Sequence, residues 1–178
     1  GDIRSATIGT DGKVTVGDTA LTNVTLKKAN AGANGYHILS NANATVWGEN
    51  SIASGEASTA FGVSSIAAAK NSLAALGGSV SATATNAAAI GKDAQATLED
   101  SVALGSGAVA DRKSGAKGYD MLTKGDTTNK STAWVSSANA IAVGNGSTLT
   151  RQITGVAAGS QDTDAVNVAQ LKAAGFKV

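Results

Sequence analysis

The chain has 178 residues and a formal net charge of +1, with 42% hydrophobic but only 3% aromatic residues, no cysteine and no proline. That composition leaves no disulfide staples and no thiolate metal sites. With neither a basic excess nor interleaved aromatics, it also argues against nucleic-acid binding. Ile, Leu, Val and Phe together supply 34 residues, about a fifth of the chain and near the level at which chains tend toward disorder.

No leader sequence and no apolar run near 18 residues is present, so nothing in this stretch crosses a membrane alone. The ends carry no terminal logic, and the chain reads as an excised piece. Residues 1–42 contain strand-like pieces such as KVTVGDTALTNVTL at Lys13–Leu26 but keep no regular period. They read as an irregular β segment or the end of a preceding module.

From Trp47 onward a period takes over. An apolar residue followed by glycine recurs at Trp47-Gly48, Phe61-Gly62, Leu76-Gly77, Ile90-Gly91, Leu104-Gly105 and Val143-Gly144. The glycines are spaced 14, 15, 14, 14 and 39 residues apart, the last gap being one period plus 25 inserted residues. Before each glycine, large and small residues alternate, as in Ser101-Val102-Ala103-Leu104 and Ala87-Ala88-Ala89-Ile90. Alternation of this kind is a strand with large residues on one face and small ones on the other. An alanine returns five residues after the glycine, at Ala53, Ala67, Ala82, Ala96 and Ala110, giving a second short strand per period. Each period is therefore one coil of a narrow solenoid. Coils stack about 4.8 Å apart by parallel ladder hydrogen bonds, so six would rise roughly 25–30 Å. The outward large residues form an apolar stripe that a monomer does not expose stably; it calls for a partner.

One of these coils, SVALGSGAVA at Ser101–Ala110, also satisfies a dinucleotide-binding fingerprint. That turn must open a helix inside a βαβ unit, whereas here Ala-Val-Ala leads straight into the charged turn Asp111–Gly115. The insertion, about residues 111–135, carries Lys117, Tyr119, Lys124 and Trp134 and reads as a projecting loop or hairpin. Binding residues concentrate on such excursions, so these four are the candidate ligand contacts. Asn23, Asn43, Asn129 and Asn145 head sequons of the sort that Asn- and Thr-rich chains produce by chance.

After a glycine-bearing connector, Asp162, Thr163 and Asp164 are expected to cap a helix and supply its first-turn acids, with Lys172 suiting the last turn. Val168 and Leu171 stand three apart, as coiled-coil a and d positions do. The helix is too short to persist alone, so either a coiled coil continues it or Gly175 hands over to another module.

The repeats resemble those of the YadA-like head of trimeric autotransporter adhesins, whose pattern is N-S-x-A-x-G. Asp164–Leu171, DAVNVAQL, resembles their neck. The resemblance covers about residues 44–172 and implies an all-β fold: a homotrimer of left-handed parallel β-rolls of 14-residue coils at 43–152, a neck at 153–172 and the start of a stalk or next module at 173–178. The trimer interface would then contain Phe61, Leu76, Ile90, Leu104, Val143, Val168 and Leu171. The resemblance further implies display on a Gram-negative cell surface as part of a secreted passenger. Membrane attachment would come only through a C-terminal anchor outside this stretch. Its function would be attachment to host extracellular matrix proteins, cell-surface receptors or other bacteria, with no cofactor, metal or catalytic residue. Trp47 and Phe61 are bulkier than the usual Ile or Leu, and several coils lack the leading Asn-Ser.

Two other solenoid readings fit less well. A left-handed β-helix acyltransferase uses six-residue repeats and a histidine, whereas the only histidine, His37, lies outside the regular coils. An ice-binding array needs threonine at matched positions, but Thr45 and Thr59 give way to Ala74 and Ala88. A purely structural spacer in a surface fibre remains open beside the adhesin.

Overall fold

The computed structural model describes residues 6–8, 14–16, 19–21 and 43–175. The chain divides into two units, Gly1–Ala33 and Asn34–Val178. In the first, β1 (Ala6–Ile8), β2 (Val14–Val16) and β3 (Thr19–Leu21) form an antiparallel meander. His37 and the rest of 22–42 lie outside the described residues.

The second unit is a parallel β-solenoid with two strands per coil. The first strands of successive coils are β4 (Thr45–Trp47), β6 (Thr59–Phe61), β8 (Leu73–Ala75), β10 (Ala88–Ile90), β12 (Val102–Leu104) and β16 (Ile141–Ala142). They hydrogen-bond in that order into one parallel sheet. The second strands are β5 (Ile52–Ala53), β7 (Ile66–Ala67), β9 (Ser79–Val80), β11 (Gln95–Ala96) and β13 (Val109–Ala110), and they make the other sheet.

The core between the sheets is made almost wholly of alanine. Ala60, Ala74, Ala89 and Ala103 line it from one side, and Ala53, Ala67, Val80, Ala96 and Ala110 from the other. Val80 is the largest fully buried side chain. So thin a core explains the shortage of large apolar residues, because there is no interior space for them.

The Asn-Ser pairs have a specific task at the corners. Asn50, Asn71 and Asp100 adopt left-handed backbone at φ 55°, 52° and 54°, a conformation that Asn and Asp tolerate better than most residues. The serine that follows turns inward, and its hydroxyl donates to a carbonyl of the same turn. The bonds are Ser51 to Gly48 at 2.6 Å, Ser72 to Ala69 at 2.6 Å and Ser101 to Leu98 at 2.7 Å. Each buried hydroxyl is thereby satisfied. The recurrent glycine answers a different demand. A Cβ on Gly91 (φ +121°) would stand 2.7 Å from the carbonyl carbon of Gly105 in the next coil, so no side chain fits at that corner.

The third coil departs from the expected pattern. Its first strand is Leu73–Ala75, with Ala75 in register with Phe61 and Ile90. Asn71 and Ser72 fix the start of that strand, so it ends at Ala75 and leaves Leu76 at the corner rather than in the strand. The extra length falls after Val80, where seven residues rather than five lead to the next first strand. The second strand of this coil starts early, so Val80 pairs with Ala67 and Ala96, and Ala82, the residue expected there, is exposed.

The insertion leaves the roll after Ala110 and the coil resumes at Ile141, slightly beyond the expected boundary. It forms a tongue in which β14 (Tyr119–Asp120) pairs antiparallel with β15 (Gly125–Asp126). A second side is closed by an antiparallel bridge between Lys117 and Val135. Its root is held by Asn139, which donates to the Glu99 carbonyl at 2.7 Å and accepts from the Ser114 N–H at 2.8 Å.

Candidate assembly and binding surfaces

The outer face of the six-stranded sheet is apolar. Trp47 (56% exposed), Phe61 (53%), Leu104 (46%) and Ile141 (70%) stand on it, with Leu73, Ala75, Ile90 and Val102 half-buried among them. The strand register brings Phe61, Ile90 and Leu104 into one row. Leu76 is not in that row but at the adjoining corner, 61% exposed with φ 57°. Val143 follows β16 and is half-buried.

Below the last coil, the chain reverses around Asn145. Its side-chain oxygen accepts from the N–H groups of Ser147, Thr148 and Leu149 at 3.1, 3.0 and 2.8 Å. This turn brings Arg151 back across the coil edge, where its guanidinium donates to the carbonyls of Val143 and Ser106, the latter at 2.6 Å.

The neck that follows is extended and ends in α1 (Val168–Ala173). The cap is not where Asp162 and Asp164 were expected to supply it. The helix starts later, with Asn167 as N-cap and Gln170 closing a capping box, and its first turn holds no acid. Lys172 does lie in the last turn. Asp164 instead ties a loop, its carboxylate accepting from the Ser160 N–H at 2.9 Å and the Gln161 N–H at 3.1 Å. These backbone bonds, that from Ser160 first, hold its pKa below the ordinary carboxylate value.

Gln170 does more than cap. Its amide donates to the Gly159 carbonyl and accepts from the Gly159 N–H, both at 2.9 Å, while Asn167 donates to the Val156 carbonyl at 3.2 Å. The motif thus fastens the neck to its own helix. The signal for it, Asn-x-x-Gln before an apolar run, was present in the sequence. Val168 and Leu171 remain exposed on this helix, which buries no residue within the chain.

On the tongue, the four candidate contacts do not converge. Lys117 pairs with Val135 at the bridge, and beside it Gly118 donates to the Trp134 carbonyl at 2.6 Å. Tyr119 is exposed on β14, and Lys124 sits at the far turn with φ 56°. The most exposed apolar residues there are Met121 and Leu122 (93% exposed). Among the described residues, no group of three His, Asp or Glu could hold a metal, and no helix is long and apolar enough to cross a membrane.

A parallel β-solenoid with an alanine core, closed by an extended neck and a capped helix, is the class of protein this geometry defines. Its coils are similar to YadA head repeats, and the segment that follows them is similar to the stalk of trimeric autotransporter adhesins. Residues 53–75 and 82–108 match the YadA head domain repeat in 2 copies, and residues 152–177 match the coiled stalk of trimeric autotransporter adhesin. The chain is 55% identical over 67 residues, 37% of its length, to the autotransporter adhesin BadA of Bartonella henselae. It is 49% identical over 74 residues, 40% of its length, to the trimeric autotransporter adhesin AtaA of Acinetobacter sp. strain Tol 5. Each matched stretch is only 2% of the relative's own length. A solved C-terminal YadA-like domain from Burkholderia pseudomallei is 33% identical, with 51% of this chain and 42% of that one covered at a TM-score of 0.39.

Proposed function

We propose that the chain is the head and neck of a bacterial surface adhesin that works as a homotrimer and binds host matrix proteins, cell-surface receptors or other cells without catalysing a reaction. One observation carries this reading: an interior made almost wholly of alanine turns most of the large apolar residues outward, onto one continuous sheet face. Exposed apolar surface of that extent marks a protein contact, and three copies joined at the neck would cover it. The two relatives are named as adhesins, one of them trimeric. Because the match is to a small part of each, the trimer, the outer-membrane location and the ligand class are inferences for this chain. The interface in this reading comprises Phe61, Leu76, Ile90, Leu104, Val143, Val168 and Leu171, and the tongue, with Lys117, Tyr119, Lys124 and Trp134, is the candidate ligand contact. Sedimentation of the 178-residue chain, followed by solid-phase binding to purified matrix proteins, tests both parts. A folded monomer at micromolar concentration overturns the assembly, and a trimer that binds no matrix protein or cell surface favours the spacer role.

A further inference from the structure

We infer that Leu76 is a docking knob for a second copy of this chain, seating in the notch that Ala75 leaves on the neighbour's sheet face. This rests on the trimeric reading above and names a contact within it. Leu76 occupies the corner where the other coils carry glycine: its N–H donates to the Phe61 carbonyl at 2.8 Å, as Gly91 does to Ala75 at 3.0 Å and Gly105 to Ile90 at 2.8 Å. A branched side chain in left-handed backbone is uncommon and strained. Its side chain gains little packing within the chain, being 61% exposed beside Val63, itself 57% exposed. Both overlook an open hollow of about 540 Å³ with Gly62, Ser64, Gly77 and the Lys92–Asp93 ion pair around it. A strained and exposed leucine persists only where some contact outside the chain repays it.

The position of Leu76 says which contact. It immediately follows Ala75, whose register partners Phe61 and Ile90 belong to the exposed apolar face. Ala75 has only a methyl group where those neighbours carry large side chains, so the face is notched at this coil. A closed threefold ring requires two different patches of the same chain to meet. Leu76 is a protrusion and Ala75 a recess in the same coil. Residues 152–177 match the coiled stalk of a trimeric adhesin, so copies joined there would hold equivalent coils at equal height. The third coil then sets the register of the ring, and its irregularity has a use.

The test compares Leu76→Gly with Ala57→Gly in the 178-residue chain. Ala57 is also exposed and left-handed, at φ 52°, so both variants relieve the same backbone restriction and only the first removes a knob. Leu76→Gly should weaken trimer association by about tenfold or more for each of the three contacts, the worth of one lost leucine burial apiece, while Ala57→Gly should leave it unchanged. In addition, Leu76→p-benzoylphenylalanine should cross-link on illumination to a peptide containing Ala75 of the partner subunit. Equal association of Leu76→Gly and the parent trimer overturns the proposal. So does an intact Leu76→Gly trimer that has lost surface binding, because the occupant is then a foreign ligand. A parent chain that stays monomeric at every concentration overturns the trimeric reading itself, which the first two outcomes leave standing.

Discussion

The guanidinium of Arg151 lies flat against Gly105, so close that a Cβ on that glycine would stand 3.0 Å from its central carbon. From there it donates to the carbonyls of Ser106 and Val143. In the coils above, such carbonyls accept from the next coil, as Ile90 does from Gly105 and Lys92 from Gly107. At the last coil Arg151 takes over that work and closes an edge that would otherwise invite further strands. Arg151→Met should therefore lower stability by about 1 kcal/mol, given the exposure of both bonds, and promote association beyond the proposed trimer. Gly105→Ala should cost about 1–3 kcal/mol, because φ +106° is strained for any side chain. Thermal melts with light scattering on the same samples check both.

The two faces of one strand predict opposite consequences. Ala89 is fully buried and flanked in register by Ala74 and Ala103, so Ala89→Leu should overpack the coil by roughly 1–3 kcal/mol or more per chain. Its neighbour Ile90 stands on the outer face, and in the proposed trimer Ile90→Asp would bury a charge from each copy, at several kcal/mol apiece. The first variant should unfold more easily at any concentration, the second only as the trimer dissociates. If Ile90→Asp melts and sediments as the parent does, the apolar sheet face is not the interface.

Much of the roll was legible because period and physics coincide. Ser101-Val102-Ala103-Leu104 shows its alternation directly, since the core facing this sheet is about an alanine deep and leaves its inward positions little room for anything larger. Leu76 was misplaced for an equally physical reason. Counting back from Gly77 puts it in the strand, but Asn71 and Ser72 anchor the strand from its other end through a left-handed turn and a buried hydroxyl. The helix cap was misjudged because Asp162 and Asp164 are good capping residues taken singly, while Asn167 and Gln170 act as a pair. Arg151 could not have been found by pattern alone, since its partners, Ser106 and Val143, are main-chain carbonyls brought near it only by the turn at Asn145.

The neck should respond to acid. Asp164 titrates below its ordinary value of 3.8 because backbone N–H groups, Ser160 first, hold its ionised form. A carboxylate whose folded pKa is depressed contributes stability that is complete above the unfolded pKa, here near 4, and is lost as pH falls through the folded one. Asp164→Asn can still accept from Ser160 and Gln161 but cannot titrate, so the pH dependence of their amide signals between about pH 5 and 2 should vanish. Gln170→Ala should act at all pH values, because it removes half of the capping box and both bonds to Gly159. A loss of about 1–2 kcal/mol is expected, with faster proteolysis between Gly155 and Asp164.

Adhesion should depend on three tethered copies rather than on one deep pocket. The coils present shallow and repetitive surfaces, so in the proposed reading each contact with a matrix protein would be weak, and holding three copies at one neck would raise the effective concentration. Gains of roughly 10²–10⁴ in avidity need no new contact. Gln95→Ala, an exposed change on a second strand, should alter binding little. Val168→Asp combined with Leu171→Asp charges the exposed apolar residues of the neck helix and should abolish trimerisation and strong binding together. The tongue is the candidate for a localised site in this reading, with Tyr119, Met121 and Leu122 exposed on it among Lys117, Lys124 and Lys130. Its contribution can be isolated cleanly: deleting the 25 residues 112–136 shortens the 32-residue step from Val109 to Ile141 to the regular 7 seen between Gln95 and Val102. Binding to immobilised matrix proteins is then compared for the parent, the neck variant and the deletion. Tight binding by the neck variant removes avidity as the mechanism. If the deletion still trimerises and yet loses binding, the ligand is held by the tongue, and the coils serve to raise it from the cell surface.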